Sequence, residues 1–224
     1  MNNTKLNKNN KEKWITFTDA IEYSKAIKMM KSKVEKIKNG FLGEQILLLE
    51  HPSVYTAGTS SKDSDLIIKN DIPIYKTERG GQWTWHGPGQ RVVYLMLNLK
   101  NRLQDVKAYV YALEELIILT LKDFYVNGVR INGQPGVWVK DNNGYDKIAA
   151  LGIRISSWIT FHGISINVNP NLDEFNNIVP CGIKNSGVTS FYKLGKKISL
   201  EEIDISFKRN FNKVFGNEGL FKLK

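Results

Sequence analysis

The chain has 224 residues, of which 42% are hydrophobic and 24% are charged, and its formal net charge is +10 at pH 7. These proportions are typical of a soluble globular protein, and no apolar run approaches the ~20 residues that a membrane-spanning helix needs. The sequence contains one cysteine, which excludes an intrachain disulfide. With no secretory signal at the N-terminus, this predicts a reducing, cytoplasmic location. The positive charge favours an acidic partner.

The N-terminal residues 1–13 are rich in Asn and Lys and have few apolar residues, so we expect a disordered tail. Residues 14–224 show no internal repeat and no shift in composition, which predicts a single domain. Lysines within residues 25–38 are spaced as on the solvated face of a helix.

Apolar spacing predicts helices and strands in alternating groups. The first helix has Thr18 or Asp19 as its candidate N-cap and Gly40 as its C′ residue. The remaining predicted elements, in chain order, are strands at 45–50, 54–58, 72–76 and 91–99, a helix at 105–125, a hairpin formed by 137–140 and 147–155, a strand or strand pair at 158–168, and a helix from about Ser199. This order predicts an α+β fold, with a mixed, largely antiparallel sheet flanked by helices.

Residues 79–90 form a glycine-rich segment, Arg-Gly-Gly-Gln-Trp-Thr-Trp-His-Gly-Pro-Gly-Gln. Glycines allow close backbone approach to a ligand, and consecutive amides form a nest for an oxyanion or carbonyl. Arg79 adds a charged fork, His86 a group able to titrate near neutrality, and Trp83 and Trp85 an apolar wall. The segment lacks the Gly-Lys-Ser/Thr ending of a phosphate-binding loop and does not open a helix, so it predicts neither a nucleotide loop nor a dinucleotide fingerprint.

Three further groups carry candidate chemistry. Regular alternation would place Lys147 on the same strand face as Ala149 and Leu151, where an ammonium needs an anionic neighbour. His162 fits either a cavity wall or a satisfied structural histidine. Cys181 lies between Pro and Gly in a predicted turn, which favours a reactive thiol over a core residue, and Lys147 is a possible cation to activate it. One cysteine and three scattered histidines show no zinc-ligand spacing, so no metal is expected.

These segments together resemble the lipoyl(octanoyl) transferase family, from about residue 41 to 190. The resemblance rests on residues 50–58, 79–90, 136–139, 147–154, 161–168 and 180–182. It implies a fold like that of biotin and lipoate protein ligases, and it implies Cys181 as the acyl-thioester nucleophile with Lys147 lowering its pKa. The substrate-binding residues implied by the resemblance are Arg79, Gly80, Gly81, Gln82, Trp83, Thr84, Trp85, His86, Ala150, Leu151, Gly152, Gly163, Ile164 and Ser165.

The resemblance also implies the reaction and its partners. An octanoyl group would pass from octanoyl-acyl carrier protein to a lysine of lipoyl domains, including those of 2-oxoacid dehydrogenase complexes and the glycine cleavage H protein. No cofactor, nucleic acid or membrane is implied. Two alternatives remain open at this stage. An ATP-dependent lipoate or biotin protein ligase would not need Cys181, and a basic binding module would be indifferent to both Cys181 and Lys147.

Overall fold

The computed structural model describes residues 12–67, 71–141, 144–179 and 187–222. Within them lie three α-helices: α1 (Tyr23–Lys38), α2 (Val106–Lys122) and α3 (Leu200–Phe215). The strands are β1 (Lys13–Thr16), β2 (Gln45–Leu49), β3 (Val54–Ala57), β4 (Ile74–Lys76), β5 (Trp83–His86), β6 (Gln90–Met96), β7 (Gly128–Ile131), β8 (Gln134–Asp141), β9 (Gly144–Ser156) and β10 (Ile159–Asn167). Residues 1–11 of the expected tail 1–13 fall outside the described residues, so disorder there stays a prediction, whereas Lys13 pairs with Gln45 at the start of β1.

The strands form two sheets. Seven lie in the order β1-β2-β6-β10-β9-β8-β7, and β4-β3-β5 form a second, smaller sheet. In the large sheet only the β1–β2 pair is parallel, and in the small sheet only β3–β4. The predicted α+β class with a mixed, largely antiparallel sheet is confirmed.

Helices cover both faces of the large sheet. The helices α2 and α3 pack on one face, over apolar residues such as Val93, Leu95 and Ile164. Helix α1 packs on the other, where Met30 and Val34 meet Leu47 and Phe161. Since α1 covers only part of its face, the remainder is left for the small sheet and the cleft described below.

The capping residues at the helix starts agree with the sequence for α2 and α3 but not for α1. Asp105 accepts hydrogen bonds from the first amides of α2, and Ser199 forms a capping box at the start of α3, as expected near both positions. The predicted N-cap of α1 at Thr18 or Asp19 is wrong, because Glu22 occupies that position. The amides of Phe17 and Ile21 donate to the carbonyls of residues 48 and 50, which fixes this segment against β2 and the residue after it and delays the start of the helix.

Candidate active site

A cleft lies on the α1 face of the large sheet, between that sheet and β5 of the small sheet. It encloses about 500 Å³ of empty space, part of it continuous with solvent. Its lining combines the end of the glycine-rich segment with the middle of β9, β10 and β6. The lining residues are Tyr23, Arg79, Gly81, Gln82, Trp83, Thr84, His86, Val92, Tyr94, Ala150, Leu151, Gly152, His162, Gly163, Ile164 and Ser165.

The structure therefore brings together three segments that are far apart in sequence. Twelve of the fourteen predicted substrate-binding residues line this one cleft. The other two do not: Trp85 is buried against Phe175 beneath the small sheet, and the amide of Gly80 donates to the carbonyl of Ile153. Their predicted contact with substrate stays untested.

Four lining residues were not among the predicted substrate-binding set: Tyr23, Val92, Tyr94 and His162. The alternation of β6 carried a signal for Val92 and Tyr94, since they lie one strand over from Ser165 and Gly163. His162 was noted in the sequence as a possible cavity wall, and the structure assigns it to the cleft. Tyr23 gave no signal, because only the chain path places the first turn of α1 against the small sheet.

Arg79 acts as a brace for the cleft wall. Its guanidinium donates to the hydroxyl and carbonyl oxygens of Thr56 on β3 and to the carbonyls of Gly80 and Gln82, at 2.8 to 3.2 Å. Its side chain is buried, and its Cδ packs beside Gly152, where a Cβ would come within 2.8 Å of it. The expected charged fork thus ties the glycine-rich segment to both sheets.

The histidines at the cleft are buried and neutral. Burial lowers the pKa of His86 to about 3, helped by repulsion from His51 and Arg79. Burial likewise lowers the pKa of His162 to about 3, with Arg79, Lys31 and Arg154 as further causes. The expectation that His86 titrates near neutrality is therefore wrong, because burial disfavours the charged form of the ring.

Hydrogen bonds fix the orientation of two of these rings. His51 Nδ1 lies 2.5 Å from the carbonyl oxygen of Ile21, so it carries the proton, and Nε2 accepts from the Tyr94 hydroxyl at 2.7 Å. His86 Nδ1 lies 2.6 Å from the amide oxygen of Gln90. The floor of the cleft is thus a set of uncharged rings held by neutral hydrogen bonds.

A β-bulge determines where Lys147 lies. Ile148 and Ala149 both pack into the core beneath α2 and α3, although neighbours in a regular strand point to opposite faces. The pairing with β8 shifts register opposite them. Lys147 is thereby turned to the other face, with Nζ 4.5 Å from the Trp138 ring centroid and 3.1 Å from the carbonyl oxygen of Pro135.

This corrects the expectation that Lys147 shares a face with Ala149 and Leu151. The extra residue in β9 moves the Lys147 side chain to the side that carries Ala150, three residues further along the strand. Lys147 as a whole is buried, with 7% of its surface exposed.

The predicted nucleophile Cys181 lies outside the described residues, together with Pro180 and Gly182. The described chain ends at Val179 and resumes at Gly187. The amide of Val179 donates to the carbonyl of Asp65, and the carbonyl of Gly187 accepts from the Lys147 amide at 3.0 Å. The chain that follows Cys181 thus returns to pair with Lys147, and Val188 bridges to the same residue.

The described residues provide neither a metal centre nor a membrane-spanning helix. Among them, no group of three or more His, Cys, Asp or Glu side chains is arranged to hold a metal ion. Within the same ranges, none of the helices has the length and apolar character required to cross a bilayer.

Comparison with known proteins gives one consistent result. An octanoyltransferase of Bartonella tribocorum is 50% identical over 212 residues, covering 91% of this chain and 86% of that protein. A bipartite lipoate protein ligase of Thermoplasma acidophilum superposes with a TM-score of 0.65 at 14% identity, covering 86% of this chain and 80% of the other. A biotin protein ligase of Aquifex aeolicus, solved with biotin and ATP, gives a TM-score of 0.54 at 16% identity, covering 92% and 73%.

These findings confirm the expected fold, that of lipoate and biotin protein ligases, and the expectation of an acyltransferase. Residues 22–212 match the family described as the lipoyl protein ligase A/B catalytic domain. That match includes β2 to β10, the helices α1 and α2, most of α3 and every residue that lines the cleft, and the chain therefore belongs to this family.

Proposed function

We propose that this protein is an octanoyltransferase of protein lipoylation. It takes the octanoyl group from octanoyl-acyl carrier protein and transfers it, through a thioester on Cys181, to a lysine of a lipoyl domain. The acceptors include the lipoyl domains of 2-oxoacid dehydrogenase complexes and the glycine cleavage H protein. The observation that carries the proposal is the cleft, in a chain that is 50% identical to an octanoyltransferase. The cleft has an apolar wall, and one of the strands that line it, β9, also carries Lys147.

The chemistry balances in two steps. The Cys181 thiolate attacks the octanoyl carbonyl, a new C–S bond forms, and the pantetheine sulfur leaves and takes up a proton. The lysine amine of the acceptor then attacks the enzyme thioester, an amide bond forms, the amine loses a proton, and the Cys181 thiolate is restored. The first step needs a soft nucleophile, and both steps need stabilisation of a tetrahedral oxyanion.

Lys147 is suited to activating the thiol of Cys181 as a nucleophile. A buried ammonium stabilises a neighbouring thiolate, because the low-dielectric surroundings strengthen the attraction between them. Its position over the Trp138 ring and against the Pro135 carbonyl restricts the ammonium to one place. The hydrogen bond from the Lys147 amide to the carbonyl of Gly187, which follows Cys181 in the sequence, supports pairing this lysine with Cys181.

The charge of the chain fits acidic protein substrates. The net charge is +10, and lysines 25, 28, 31, 36 and 38 are exposed on α1. Such a field speeds encounter with acidic partners and does so less at high salt.

Acylation of Cys181 tests this function directly. The purified protein is mixed with octanoyl-acyl carrier protein and its intact mass is recorded before and after a lipoyl domain is added. We expect a gain equal to one octanoyl group, its loss on adding the acceptor, and no gain in Cys181→Ser. Full transfer by Cys181→Ser would rule out the covalent route.

An ATP-dependent ligase is the second candidate, because the Aquifex aeolicus neighbour was solved with ATP. It predicts modification of the lipoyl domain only when ATP and a free acid are supplied, and activity that survives Cys181→Ser. Exchange of labelled pyrophosphate into ATP, dependent on octanoate or lipoate, separates the two.

A further inference from the structure

One end of the cleft is closed by aromatic and imidazole rings. The register of the sheet orders the lining along its length. Ser165 pairs with Ala150 and Val92, Gly163 pairs with Gly152 and Tyr94, and His162 pairs with Ile153. Lys147 precedes Ala150 on the same strand, so His162 and Tyr94 mark the end of the cleft that is remote from Lys147.

The backbone of His162 is what brings its ring into the cleft. His162 has a φ of 60°, in the left-handed region, although it lies within β10. Its ring stacks on that of Phe161, the preceding residue, with centroids 5.3 Å apart and an interplanar angle of 26°. Adjacent residues of a regular strand point to opposite faces, so the left-handed residue has turned the imidazole to the face of Phe161 and of the cleft.

Neighbouring groups hold the imidazole in this place. The His162 amide donates to the Met30 sulfur of α1 at 3.0 Å, and the ring meets Tyr94 edge to face with centroids 6.0 Å apart. Strained backbone of this kind persists only where the surroundings enforce it, and it clusters at functional sites. The side chain is 3% exposed, so the wall behind it is closed by protein and not by water.

The ring is also chemically suited to face a hydrocarbon. Because burial keeps the imidazole of His162 neutral, the terminal methyl of an acyl chain would meet an uncharged ring there. The opposite wall of the cleft at this level is the aliphatic part of Arg79 beside Gly152.

The length of the cleft agrees with a medium acyl chain. Ile153 lies three residue steps beyond Ala150 on β9, which corresponds to about 10 Å. An extended eight-carbon chain spans about 9 Å, so it fits between the Lys147 end of the cleft and His162, whereas about four further carbons would add ~5 Å.

We propose that His162, supported by Tyr94, is the specificity-determining stop that sets the length of the acyl chain. The inference rests on the proposed octanoyl transfer and goes further by naming the residue that selects the substrate. It predicts that removing the ring lengthens the accepted chain and leaves the reacting end unchanged.

The test compares His162→Gly with the unaltered protein across acyl-carrier-protein substrates of six to fourteen carbons. Glycine adopts a left-handed backbone freely, so this variant removes the ring without adding strain. Each buried methylene is worth roughly fourfold in binding, so we expect the ratio of decanoyl to octanoyl kcat/KM to rise by roughly tenfold or more. Val92→Ala is the matched control, because it widens the cleft at the level of Ser165 and should leave that ratio unchanged.

The outcomes distinguish failure of the proposed octanoyl transfer from failure of the proposed role of His162. If the unaltered protein transfers no octanoyl group, the proposed function fails. If it transfers octanoyl and His162→Gly keeps the same decanoyl-to-octanoyl ratio, the stop is refuted while the function stands. An equal rise in Val92→Ala would also refute it. Should His162→Gly lose its circular dichroism spectrum, His162→Asn gives the same comparison, since asparagine tolerates the left-handed region and is shorter.

Discussion

Acidification tests the claim that the rings beneath the cleft are buried as neutral imidazoles. His51 is the suitable probe, because it supports Tyr94 from behind and does not line the cleft. Burial lowers the pKa of His51 from 6.5 to about 4, against a hydrogen bond to Ile21 that raises it. The folded protein therefore binds this proton less readily than the unfolded chain does. The stability that is fully present above pH 6.5 is lost as the pH falls toward 4.

The magnitude follows from this difference in pKa. One pKa unit corresponds to 1.36 kcal/mol, so lowering the pH from 7.5 to 5 removes about 2 kcal/mol through His51 alone. The loss levels off at about 3 kcal/mol near pH 4, where the folded protein also takes up the proton.

The assay is urea unfolding of the unaltered protein and of His51→Gln at several pH values between 7.5 and 5. Glutamine keeps a donor and an acceptor but does not titrate, and carboxylate protonation common to both proteins cancels in their difference. We expect the stability advantage of the unaltered protein to shrink by about 2 kcal/mol over this range. A difference that stays constant with pH would show that His51 is not held neutral, and the reasoning would be refuted.

The remaining predictions concern a glycine next to Lys147 and the cap of α3. Gly136 has a φ of 128°, and a Cβ there would lie 3.1 Å from Lys147 Cε and 2.8 Å from a backbone carbonyl. Gly136→Ala should therefore slow octanoyl transfer and cost about 1–3 kcal/mol in urea unfolding. Gly133→Ala is the control, because Gly133 has a φ of 75° but open space around it. This variant should lower stability and keep the transfer rate. Equal slowing of transfer in both variants would contradict the idea that Gly136→Ala acts by displacing Lys147. Ser199→Ala removes the capping box of α3 and should cost about 1 kcal/mol, whereas Ser24→Ala, exposed in α1, should change the unfolding free energy little; similar losses would contradict the cap.

The helix starts and strands that depend on residues close together in the sequence could be predicted from it. Asp105 and Ser199 are side chains that satisfy the first amides of a helix by themselves, so the starts of α2 and α3 could be predicted. The apolar pattern likewise predicted β2, β6, β8, β9 and β10 of the large sheet, but not its two edge strands, β1 and β7.

The features that failed depend on contacts distant in sequence. The start of α1 is delayed because residues 17–21 continue to pair with β2. The face of Lys147 is set by a bulge, which has no reliable signature in a run such as Lys147-Ile148-Ala149. The ring of His162 is turned because His162 itself has a left-handed backbone, which its contacts with Met30 and Tyr94 support.

The bracing of Arg79 has a thermodynamic consequence for ligand binding. Its guanidinium holds β3 and the glycine-rich segment through Thr56, Gly80 and Gln82, so this wall is already braced before any acyl chain arrives. Ordering a loop on binding costs affinity, and a preformed wall avoids that cost. Binding of the acyl chain should then be governed by removal of hydrocarbon from water, with a negative heat-capacity change that grows with each methylene until the cleft is full.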